Sequence, residues 1–98
     1  MNRIPNPTMI FSTPYKIKYF KRLESDDSED LCGQIDPVTG EIRLLESMCR
    51  SMKNKTWLHE VLHGIFKEIN IKMTENELDT LANSLYDTFT RNKMDFSK

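Results

Sequence analysis

The feature that most restricts this chain is His59-Glu60-Val61-Leu62-His63, which uses both histidines of a 98-residue sequence. Residues four apart share one face of a helix, so this spacing lets two imidazoles meet one metal ion. The residues around it extend the helix. Leu58, Val61, Leu62, Ile65 and Ile69 recur at helical spacing and predict a buried stripe. The helix is expected to begin between Ser47 and Lys55 and to run to about Asn70. At about 100° per residue, His59 and His63 fall together on one flank of the stripe with Phe66 beside them, and Glu60 lies farther around. A ligand pair there sees both the interior and a cleft. The competing reading is a surface patch of two histidines and a glutamate without metal. Against it, Gly64 directly follows the second histidine. A glycine inside a helix costs ~1 kcal/mol relative to alanine, which predicts close approach of another backbone there.

Thr74-Glu75-Asn76-Glu77 has the form of a capping box and opens a second helix to about Arg91. Leu78, Leu81, Ala82, Leu85 and Phe89 form its core stripe. Upstream, Pro5, Pro7 and Pro14 predict an irregular arm over residues 1–13, pinned by Met9-Ile10-Phe11. Tyr15–Phe20 alternates apolar and charged residues, as in a half-buried strand. Residues 24–30 are acidic and read as a solvated loop whose spacing fits no standard calcium loop. Leu31–Asp36 and Glu41–Leu45 flank Asp36-Pro37-Val38-Thr39-Gly40, a hairpin turn. The fold class expected is α+β: a small antiparallel sheet of about three strands, packed on the histidine helix and followed by a second helix. One domain would span 14–92, with a frayed tail at 93–98.

A chain of this length supports one modest core. With 38% hydrophobic and 30% charged residues it reads as a soluble globular protein. A net charge of −1 gives no electrostatic case for nucleic acid or an anionic membrane as partner. No apolar run approaches the ~20 residues of a membrane span, and Met1–Pro5 lacks a signal-peptide core. Cys32 and Cys49 lack Cys-x-x-Cys spacing and do not make a disulfide framework. Reduced thiols and a cytoplasmic location are the expectation.

A catalytic zinc commonly takes three protein ligands and leaves a position for water. His59 and His63 supply two, and Glu60 is the candidate base that takes the proton of the attacking water. The chain has no third histidine, so the remaining ligand is a carboxylate, a cysteine or external. Glu77 is spoken for by the capping box. Glu75 lies near the core stripe but also suits the first turn through the helix dipole. Asp79, Asn83 and Tyr86 form a polar stripe beside the apolar face, which an antiparallel helix pair would turn toward the histidines. Asp79 is therefore the expected third ligand and Glu75 its rival. Tyr86 either steadies an oxyanion or a bound peptide, or simply packs at the boundary.

The order of these features resembles the small bacterial and phage zincin-like metallopeptidases related to the ImmA/IrrE group. The resemblance rests on the hairpin Cys32–Asp36 to Ile42–Leu44, on Thr56–Ile65 with its His-Glu-x-x-His, and on Leu81-Ala82-Asn83 in the second helix. It implies a zinc-dependent peptidase, with His59 and His63 as ligands, Glu60 as base, and an acidic ligand shortly before Ala82-Asn83, the place of Asp79. The implied substrate is a peptide or protein, such as a regulator of a phage or mobile element, with strand Glu41–Leu45 as an edge that holds it. An aspartate stands where a longer glutamate is common in such proteins. The absence of a third histidine, with isoleucine at position 69, excludes the metzincin type. Two rival readings remain: a zinc-bearing protein-binding module without catalysis, and a metal-free interaction protein.

Overall fold

A computed structural model describes residues 4–23 and 32–93. Six elements follow in order: β1 (Thr8–Ile10), β2 (Thr13–Phe20), β3 (Gly33–Asp36), β4 (Glu41–Leu45), α1 (Arg50–Glu68) and α2 (Glu75–Arg91). The α+β class agrees with the sequence reading; the sheet is richer than expected. It has four strands in the order β1-β2-β4-β3, and it is mixed rather than antiparallel. β2 and β4 pair in parallel from Lys16↔Glu41 to Phe20↔Leu45, while β1–β2 and β3–β4 are antiparallel.

The reason lies in β4. Ile42 and Leu44 are fully buried, and a strand this apolar on one face gains most from a neighbour on either side. The β3–β4 hairpin therefore inserts β4 beside β2 and leaves β3 outside. This corrects the expected edge: Glu41–Leu45 is interior, and among the described residues the edge strand on this side is β3. The outer face of the sheet is polar and paired. Arg43 donates to Glu41, Gln34 and Asp36, and Lys18 lies 2.7 Å from Glu41.

The arm is more ordered than its prolines suggest. Residues 8–10 form β1, and Thr8 anchors it by accepting a hydrogen bond from Trp57 Nε1 (2.9 Å) and donating one to the Pro5 carbonyl. Of the three residues expected to pin the arm, Ile10 is buried, whereas Met9 and Phe11 are exposed. Residues 1–3, the acidic stretch 24–30 with Leu31, and residues 94–98 of the expected tail lie outside the described residues.

α1 packs on β1, β3 and β4 with one side and on α2 with another. A helix between two layers is buried on more than one stripe. Leu58 and Leu62 are buried as expected, and so are Trp57 and Glu60, which the single-stripe reading left out. Ile69 is exposed where the helix runs past the core. α2 opens with the expected capping box: Glu77 N–H donates to Thr74 Oγ1 (3.1 Å) and Thr74 N–H donates to Glu77 Oε1 (2.8 Å). Its buried face is Leu78 and Ala82, with Leu81, Leu85 and Phe89 half-buried. No helix is long and apolar enough to cross a membrane among the described residues.

Candidate metal centre

The loop between the helices is short, so α2 returns along α1 in the opposite direction. Three contacts mark the ladder: His63 with Glu75, His59 with Asp79, and Lys55 with Tyr86. Both histidines thus face the second helix, on the flank where the sequence placed them. Their rings meet edge to face, 4.9 Å between centroids.

Glu75 closes the group. Its Oε2 lies 3.2 Å from His59 Nε2 and its Oε1 lies 2.6 Å from His63 Nε2. One atom from each of His59, His63 and Glu75 falls within 4.8 Å of the others. Asp79, the expected third ligand, is outside this group: its Oδ1 is 3.7 Å from Nδ1, the opposite nitrogen of the His59 ring. The carboxylates of one stripe have thus divided, Glu75 facing both Nε2 atoms and Asp79 standing behind one ring. Glu75 escapes the local role that the helix start offered it because Glu77 fills the capping box. As the first residue of α2, with a side chain one methylene longer than aspartate, it reaches back across the gap. The sequence signal was its place in the same stripe, four residues before Asp79.

Glu60 follows His59 on α1 and turns toward β3. It is 8% exposed, lies against β3, and lines a cleft of about 460 Å³ together with His59, Glu75 and Asp79. Burial, and secondarily the negative charge of Glu75, raise its carboxyl pKa from 4.5 to about 7. The packing around it is tight. A methyl group placed on Gly33 would stand 2.5 Å from Thr56 Cγ2 and 3.4 Å from Glu60 Cγ. Thr56 is β-branched and stiff within its helix, so β3 would have to move. Gly33→Ala is expected to cost about 1–3 kcal/mol, read as a fall of roughly 4–8 °C in Tm per kcal/mol. An unchanged Tm would show that β3 does not press on α1 as described.

Gly64 is also a point of close approach, though to side chains rather than to a backbone. Its missing Cβ leaves room for Ile10 Cδ1 and Ile35 Cδ1, which would lie at 2.7 and 3.0 Å. Ile35 brings β3 past His63, and a second cavity of about 430 Å³ opens there among Ile35, Pro37, His63 and Gly64. Tyr86 lies half-buried one turn beyond Asn83, its ring 5.5 Å from the Lys55 ammonium.

The donor set fits a small divalent cation. Two imidazoles and one carboxylate are ligands that zinc accepts, at about 2.0–2.2 Å each. Ligands at that radius around a tetrahedral ion stand about 3.3 Å apart; one atom from each of the three side chains lies within 4.8 Å of the others, so the group would draw together around an ion. In comparisons with known proteins, the chain matches no family model, no curated protein and no solved structure.

Proposed function

We propose that the protein is a zinc-dependent peptidase of zincin-like design, in which His59, His63 and Glu75 hold the metal. The observation that carries this reading is the convergence of both Nε2 atoms on one carboxylate, beside a buried glutamate that opens to the same cleft. A zinc ion held there would supply a Lewis acid and lower the pKa of a water molecule toward neutrality. Glu60, buried and lining the same cleft as His59 and Glu75, would be the base that takes a proton from the attacking water. Asp79, with Oδ1 3.7 Å from His59 Nδ1, would help to orient that ring toward a bound metal.

The outer edge of β3, which no described strand covers, supports a peptide as substrate. In the antiparallel pairing with β4, Leu45 N–H donates to the Cys32 carbonyl, so the backbones of Cys32, Gln34 and Asp36 face β4. Those of Gly33 and Ile35 face outward, one at the Glu60 cleft and the other at the His63 cavity. An extended chain added to this edge passes the histidine pair. The resemblance to ImmA/IrrE-related peptidases agrees with such a substrate, and a cytoplasmic regulatory protein is the class we propose.

The test is Glu60→Gln with zinc content and hydrolysis measured on the same samples, using a mixture of unstructured peptides. Loss of cleavage by at least about a hundredfold, with zinc retained, is expected. Equal cleavage by both proteins would remove Glu60 from the chemistry. Zinc bound with no cleavage by either would leave the metal-bearing binding module as the better reading.

A further inference from the structure

The cleft that holds Glu60 continues along the α1–α2 groove away from the histidines. One turn along α1 from His59 stands Lys55, and one turn along α2 from Asp79 stands Asn83; both line the cleft. Among the described residues lining it, Lys55 is the one lysine or arginine, in a lining that also holds Glu60, Glu75 and Asp79. Its stem is half-buried and its ammonium sits 5.5 Å from the centre of the Tyr86 ring. The ring holds the cation in place without neutralising it. No described carboxylate comes within ion-pair distance of this ammonium, although Lys18 and Arg43 on the sheet both have such partners. A positioned cation that no described carboxylate pairs, in a groove that reaches the candidate metal centre, suits an anionic group of the ligand.

Distance selects which group. Four helical residues separate Lys55 from His59, about 6 Å along the helix axis. An extended peptide advances about 3.3 Å per residue. We propose that Lys55 selects peptides carrying a carboxylate about two residues from the scissile bond, either an aspartate or glutamate side chain or the free C-terminus. This inference rests on the peptidase reading of the same site. Lys55 is a specificity residue here and takes no part in the chemistry.

The experiment uses zinc-supplemented Glu60→Gln protein, which retains peptides without cutting them. It is panned against a random heptapeptide library in two forms, with free and with amidated C-termini. Retained peptides are expected to be enriched in carboxylates about three- to tenfold over input. Enrichment in both libraries assigns the side chain; enrichment confined to the free form assigns the terminus. Lys55→Arg should keep the preference, Lys55→Met should remove it, and Lys55→Glu should turn it toward basic peptides. Helical circular dichroism of each variant confirms that the groove is intact. Absence of enrichment, or the same enrichment with Lys55→Met, overturns the proposal. Zinc content and wild-type cleavage of the retained peptides report separately on the peptidase reading. Cleavage without carboxylate preference sinks only the Lys55 subsite, and Lys55-dependent preference without zinc or cleavage sinks only the hydrolase.

Discussion

In metal-free protein, Glu60→Gln is expected to raise stability at pH 8 by roughly 3 kcal/mol, the free energy of moving a carboxyl from 4.5 to about 7. For a domain of this size that is about 10 °C or more in Tm. The sign follows from proton binding. Between pH 4.5 and about 7 the folded protein holds a proton on Glu60 that the unfolded chain has released. Folded stability from this group is therefore complete below pH 4.5 and is lost as pH rises through 7. Glutamine mimics the protonated acid in shape and polarity and has nothing to release. Asp36, Glu41 and Glu77 act in the opposite sense, because hydrogen bonds from Arg43, from Lys18 and from Thr74 hold their carboxyls below 3.8, 4.5 and 4.5. Their influence lies at more acid pH. Thermal melts of both proteins in chelator at pH 4.5 and pH 8 should nearly coincide at the first and separate at the second. Parallel pH profiles would mean that Glu60 is not buried against β3.

The second large effect concerns which carboxylate completes the proposed metal site. Glu75→Ala is expected to weaken zinc binding by more than about a hundredfold, and Asp79→Ala by roughly tenfold, the scale for a group that orients a ligand. Competition against a fluorescent chelator measures both. The reverse order would restore Asp79 as the third ligand and make the Glu75 contacts hydrogen bonds to the two imidazoles and no more. The two variants are close comparisons, since both residues stand on the same face of α2 with exposed side chains.

The choice between those residues shows where sequence reasoning stopped. The histidine helix, the capping box and the β3–β4 hairpin are local, and each was legible from spacing or turn chemistry. The rotation of α2 about its own axis is not local. Glu75 and Asp79 lie one turn apart on one stripe, and only the packing of Leu78 and Ala82 against α1 decides which meets the Nε2 atoms. The same holds for the sheet. That β4 inserts beside β2 depends on burying Ile42 and Leu44 from both sides, a choice among long-range pairings that alternation cannot rank. Trp57 and Glu60 were missed as buried because α1 was read as one-sided. With α2 behind it and the sheet in front, the helix has two covered faces. Thr8, which anchors β1 through Trp57, carries no signal in an arm dominated by prolines.

The claim on which the rest depends is that His59, His63 and Glu75 form a metal centre, and elemental analysis of untagged protein tests it most directly. The account predicts close to one zinc per chain, lost in His63→Ala and removed by a chelator with a fall in Tm. Wild-type protein that stays free of zinc after reconstitution, with a melting curve that chelator and added metal leave unchanged, would contradict it.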